Sequence, residues 1–161
     1  MTVDEQLPAR SREVARALAA AGVTGRVRQL SESARTAAEA AAALGCEVGA
    51  IANSLVFVAD EAPLLVLTSG RHRVDTRMVA QRCGFREVRR ASAAEVRAAT
   101  GQAIGGVAPV GHPHPLPTVV DAALTEYPEI WAAAGTPHTV FATTAAELVR
   151  LTGGRVLMVA G

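Results

Sequence analysis

Apolar residues recur at helical spacing early in the chain, at Val14, Ala17, Leu18 and Ala21, and Gly22 follows them. Residues 11–21 are therefore expected to form an amphipathic helix with a glycine stop. Residues 26–30 alternate in the manner of a short strand. The alanine-dominated run 33–44, with Glu39 inside it and Gly45 behind it, predicts a second helix, because alanine loses least on becoming helical and glycine readily ends one. Two apolar, β-branched runs, 54–59 and 64–68, are separated by Asp60, Glu61, Ala62 and Pro63, which predicts a hairpin. Asp75 stands where an N-cap belongs, ahead of a helix that runs to Arg82 and stops near Gly84. A strand over 87–90 and a capped helix over 92–100, closed by Gly101, come next.

Residues 105–117 contain four prolines and three glycines, so this stretch is expected to be an irregular, stiff loop. Short strands are predicted over 118–122, 130–133 and 139–142. Thr143 or Thr144 then caps a helix through Leu151 that ends at Gly153, and 155–159 supplies a last strand. Strands and helices mix without regular βαβ alternation. The pattern favours an α/β fold of the α+β type, a mixed β-sheet flanked by helices, over a doubly wound one. No internal repeat or linker divides the sequence, so residues 1–161 are expected to form a single domain.

Composition narrows the chemistry. Half of the residues are hydrophobic, enough for a core without disulfides or metals, and that core must be built from Ala, Val and Leu. The few aromatics, Phe57, Phe85, Phe141, Trp131 and Tyr127, make no platform on which a run of bases would stack. The 16 basic residues are all arginine and face 15 acidic ones, so no basic field exists to hold DNA or any long nucleic acid, whereas the short end of one remains compatible. With no lysine in the chain, no step can use a lysine amine. Cys46 and Cys83 lack a C-x-x-C partner, which argues against a structural zinc site or a redox pair. Neither a basic start followed by an apolar run nor a stretch of about 18 apolar residues is present, so a cytoplasmic protein without membrane contact is expected.

Serine hydrolase, NTPase and dehydrogenase signatures are all missing. In Gly105-Gly106-Val107-Ala108-Pro109, two residues without side chains precede one that fixes the chain direction, so a substrate can approach backbone N–H groups closely there. The same segment also reads as a structural turn. His112 and His114 alternate with prolines just beyond it, and His138 lies near Gly135. They are candidates for bases or metal ligands, but two close histidines without a third convergent ligand do not make a metal site. No cofactor is indicated.

A resemblance emerges from three segments taken in order: Cys46-Glu47-Val48-Gly49-Ala50-Ile51-Ala52-Asn53-Ser54-Leu55-Val56-Phe57, the glycine loop through Val110-Gly111, and Leu116-Pro117-Thr118-Val119-Val120-Asp121. With Gly135 and Ala145-Ala146-Glu147-Leu148 they resemble the YbaK/EbsC-like family of domains, similar to the editing insertion of bacterial prolyl-tRNA synthetases, over most of the chain after Ser33. The resemblance implies a trans-editing aminoacyl-tRNA deacylase, in which Gly105, Gly106 and Pro109 hold the aminoacylated 3′ end of a tRNA and water attacks the ester. An aminoacyl-tRNA synthetase is a further candidate partner. Family members usually carry lysine where this chain has Asn53, whose amide hydrogen-bonds but brings no charge. Arg71, His72 and Arg73, which follow Gly70 at the end of a predicted strand, are candidate replacements for that charge, although the same residues read more simply as a solvated turn. Asp121, His112, Gly135 and His138 complete the candidate substrate-binding set, with Asp121 read as ordering the loop rather than moving protons. A noncatalytic member that binds a small molecule or a protein in the same pocket is the alternative. Any pocket near Ala132, Ala133 and Ala134 would have small walls.

Overall fold

The computed structural model describes residues 7–24 and 26–161. Along these the elements are α1 (Ala9–Ala20), β1 (Val27–Gln29), α2 (Ala37–Leu44), β2 (Ile51–Ala59), β3 (Ala62–Ser69), α3 (Thr76–Cys83), β4 (Val88–Arg90), α4 (Ala93–Thr100), β5 (Thr118–Asp121), β6 (Ile130–Ala133), β7 (Thr139–Thr143), α5 (Ala145–Thr152) and β8 (Arg155–Leu157). Short 3-10 turns, Val48–Ala50 and Ala122–Glu126, precede β2 and follow β5. Among the described residues, all eight strands join one mixed sheet in the order β1-β7-β6-β2-β3-β5-β8, with β4 on β2.

Strand β3 is buried on both sides, which explains its unbroken apolar run. Leu65 and Leu67 face a core shared with Val14 and Leu18 of α1, Val96 of α4 and Leu148 of α5. Leu64 and Val66 face the other core, with Val79 and Ala80 of α3. Helix α2 packs its alanines on Ile51 and Trp131. The expected helix starting at residue 33 begins later, after Thr36, because Thr36 and Glu39 form a reciprocal capping box. The expected four-residue link between β2 and β3 is tighter: pairing continues to Ala59 and Ala62, and Asp60 and Glu61 turn with φ of 47° and 72°. The Asp60 carboxylate helps hold this turn by accepting from the N–H groups of Arg86 and Glu87.

One irregularity of the sheet positions the site. Strand β2 pairs with β6 only at Ile51 and Ala52, and with β4 only from Phe57 to Ala59. Between these contacts Asn53, Ser54 and Leu55 keep β3 on one edge and face a gap on the other.

Where β3 ends, Asp121 holds the sheet together. Fully buried, it accepts from Ser69 N–H at 2.9 Å, Thr68 Oγ1 at 3.3 Å and Ala123 N–H at 2.9 Å, and lies 2.8 Å from His72 Nδ1. Replacing it by alanine would strand several buried donors, each an expense of roughly 1–3 kcal/mol. Asp121→Ala is expected to lower unfolding stability by about 3 kcal/mol in urea titration; a loss below about 1 kcal/mol would show that these bonds do not carry the end of β3.

Candidate functional site

The gap beside β2 opens into a cavity of about 200 Å³. Its walls come from four places far apart in sequence: Ala34, Arg35, Thr36 and Ala40 at the start of α2, residues 51–55 of β2, residues 104–107, and Trp131, Ala132 and Ala133 of β6 with Thr136, Thr139 and Val140 beyond. Arg90 of β4 reaches the same space. Asn53 and Ser54 point to opposite faces of the strand, and both residues belong to the cavity wall at the place where the ladder is interrupted.

The loop 104–107 is held rigidly. Gln102, 3% exposed, accepts from Ala108 N–H through Oε1 at 2.7 Å and reaches Val110 O through Nε2 at 3.4 Å. Thr100 Oγ1 accepts from Gln102 N–H, fixing that residue in turn. Gly106 N–H donates to Ala103 O at 3.3 Å, and Gly106 O accepts from Gly135 N–H at 2.9 Å. A β-carbon on Gly106 would lie 2.5 Å from the Thr136 carbonyl carbon and 2.8 Å from the Pro137 nitrogen, so the close approach of the two backbones requires glycine. Gly105 has φ of 99°, a conformation side chains resist. Among the described residues the N–H groups of Gly105 and Val107 have no hydrogen-bond acceptor, and neither does the Asn53 carboxamide.

Among the described residues, Arg35 and Arg90 are the charged ones in the cavity wall, and no carboxylate lines it. Neither arginine has an ion-pair partner among the described residues, although Arg90 rests on the Phe57 ring with its guanidinium carbon 5.6 Å from the centroid. Arg28 covers the Trp131 ring at 5.2 Å. The site therefore presents uncommitted positive charge, backbone donors and one carboxamide. Such a site suits an anionic, oxygen-rich ligand end.

Known proteins agree on what such a chain is. Residues 31–151 match the model of the aminoacyl-tRNA editing domain. This chain belongs to the aminoacyl-tRNA editing domain family. A solved structure described as "a putative trans-editing enzyme for prolyl tRNA synthetase" shares 45% identity and a TM-score of 0.89, over 97% of this chain and 99% of that one. A scaffold chain solved for epitope backbone grafting by computational design is 40% identical, with a TM-score of 0.89, over 96% of this chain and 99% of its own. The uncharacterized protein YwhH of Bacillus subtilis (strain 168) is 29% identical over 131 residues, 81% of this chain and 83% of the relative. The fold is the mixed α/β fold of those editing-domain structures, similar to YbaK.

Within this editing domain, Asn53, Gly105 and Gly106 meet at the cavity, with Ala132 and Ala133 in its wall, while Ala134 is buried in the core. The other candidates do not line it. Arg71 is tied to Glu126 and Tyr127, and His72 turns to Asp121, so both are engaged just beyond the C-terminal end of β3. Arg73 is exposed outside the cavity. Pro109 is buried behind the loop, in a separate hollow that also contains His112 and His114. Gly135 contributes its N–H to Gly106, and His138 contributes its carbonyl to Leu30 N–H; both act through backbone. The charge expected from Arg71 to Arg73 comes to the cavity from Arg35 and Arg90 instead. Arg35 had a legible clue, since it directly precedes a Thr-x-x-Glu capping box and so sits at a helix entrance. Arg90, Ser54 and Gln102 had none, because their placement follows from strand pairing and loop packing. No helix among the described residues is long and apolar enough to cross a membrane, and no described group of three or more His, Cys, Asp or Glu side chains is arranged to hold a metal.

Gly106→Ala is expected to displace the loop from the 136–137 backbone, lowering the melting temperature by several degrees and changing the amide spectra of residues 104–108 and 134–138; an unchanged spectrum would refute the close-contact argument. His112 supplies a second check. Burial holds its pKa below the ordinary 6.5, against the opposing effect of its 2.8 Å bond to Ala108 O. The fold favours the neutral ring, so this contribution is complete above 6.5 and is lost as pH falls toward the depressed value. His112 should titrate below 6.5 by NMR, and stability should fall more steeply as pH drops below 6.5 than in His112→Gln; equal pH slopes would count against it.

Proposed function

We propose that this editing domain is a trans-editing deacylase that hydrolyses the ester of mischarged tRNA in the cavity beside β2. The observation that carries the reading is the convergence of Asn53, the glycine loop and two uncommitted arginines, Arg35 and Arg90, on one confined space. The relative described as associated with prolyl-tRNA synthetase supports tRNA for proline as the first substrate to test.

An aminoacyl ester is activated already, so hydrolysis needs chiefly a positioned water and donors aimed at the developing oxyanion. The free N–H groups of Gly105 and Val107 are suited to that oxyanion. Asn53 holds the ester or a ribose hydroxyl by hydrogen bonds, and Arg35 and Arg90 bind the terminal phosphates, doing for the substrate end what a lysine does in relatives. Among the described residues no carboxylate or histidine lines the cavity, so the ribose 2′-hydroxyl is assigned the task of assisting the attacking water. Protein groups bind, orient and stabilise charge.

Single-turnover deacylation of tRNA for proline charged with a panel of wrong amino acids tests this. At least one ester should be hydrolysed well above the spontaneous rate. Arg35→Ala and Arg90→Ala should each lose about tenfold in kcat/KM, the value of one charge-assisted contact, with activity surviving exhaustive chelation. Asn53→Lys should tighten substrate binding. Failure to hydrolyse any ester, or arginine variants as active as wild type, would overturn the reading.

A further inference from the structure

We infer that the tRNA strand reaches the cavity across the β1 end of the sheet, where Arg28 binds a phosphate upstream of those held by Arg35 and Arg90. The inference rests on the deacylase reading and adds the surface over which the RNA lies. Arg28 is exposed, and its guanidinium carbon stands 5.2 Å from the centroid of the Trp131 ring, which is part of the cavity wall. Among the described residues it has no carboxylate partner. An arginine resting on a ring is held in place by the ring face, while its fork of N–H donors stays available for the paired oxygens of a phosphate.

Strand pairing sets Arg28 in line with the cavity. Arg28 lies opposite Val140, and Val140 opposite Ala133, so the three side chains share one face of the sheet; Trp131, two residues before Ala133, shares it too. Val140, Ala133 and Trp131 all line the cavity. Arg28 continues their row outward to the last strand of the sheet, two strand spacings or about 10 Å from Ala133. Charge decides the direction. Along residues 26–35 three arginines stand against one carboxylate, Glu32, and of the three only Arg26 is committed, to Glu147. On the opposite flank, beyond Arg90, Asp60, Glu61 and Glu87 gather with Arg86 around a hollow whose other arginine, Arg89, is already tied to Glu95. A phosphodiester chain leaving over that flank would meet carboxylates, whereas one leaving over β1 meets free cations.

The test uses substrates with and without upstream phosphates. An ester that wild type hydrolyses is presented on full-length tRNA for proline and on adenosine alone. Values of kcat and KM are measured for wild type, Arg28→Met, Arg28→Lys and, as an exposed control away from the cavity, Arg73→Met, each checked for folding by its melting curve. Arg28→Met keeps an apolar chain over Trp131 and removes the charge. It should raise KM for the tRNA about tenfold with kcat unchanged and leave the adenosine ester unaffected. It should also make the fall of log kcat/KM with log salt concentration shallower by about 0.7, the share of one phosphate contact on a single strand. Arg28→Lys should restore the salt slope and recover part of the affinity, and Arg73→Met should match wild type. Equal losses on both substrates, or a tRNA KM and salt slope unchanged in Arg28→Met, overturn this inference and leave the deacylase reading standing. Wild type that hydrolyses no ester in either form overturns both.

Discussion

Three backbone hydrogen bonds made by the turn between β6 and β7 hold the cavity in being. Gly135 N–H donates to Gly106 O, and the carbonyls of Pro137 and His138 accept from Ala34 and Leu30. One side of the turn thus clamps the glycine loop, and the other clamps the segment that delivers Arg35 and the start of α2. The turn is itself pinned to helix α1, since Thr139 Oγ1 lies 2.8 Å from the buried Ser11 Oγ and 2.9 Å from Thr136 Oγ1. Segments separated by a hundred residues are therefore positioned by a single short piece of backbone. Positioning by main chain, rather than by long side chains, is what a site made of N–H donors requires.

The interrupted ladder on β2 has the complementary role. A strand fully paired on both edges would close the sheet over Asn53 and Ser54. Because β6 leaves β2 after Ala52 and β4 joins only at Phe57, both residues border the cavity.

Charge is divided between two uses. Arg71, Arg89 and Arg26 are committed to Glu126, Glu95 and Glu147, where they fasten elements to one another. The Arg89 link holds the Glu95 carboxyl down to about 2, so that pair stays ionised through the ordinary pH range. Arg35 and Arg90, without such partners among the described residues, keep their charge available at the cavity. A chain with no lysine thereby retains positive charge at the position where Asn53 supplies only hydrogen bonds.

Local physics made much of this legible in advance. Helical spacing and caps at Asp75, Ser92 and Thr144, alternation in the strands, and the run of glycines and prolines over 105–117 each depend on neighbours within a few residues. The ordered segments around Asn53 and Gly105 were similarly readable, and they do meet. The destination of side chains was not readable. Arg71 and His72 looked available and are bound to Glu126 and Asp121; Arg35 and Arg90, which the sequence did not single out, border the cavity. Ser54 read as one more strand residue, and its hydroxyl is buried without a partner among the described residues. Sequence determined the elements because propensity and capping act locally; tertiary structure alone decided which charges are neutralised and which donors stay free, because those depend on partners brought close by sheet pairing across the whole chain.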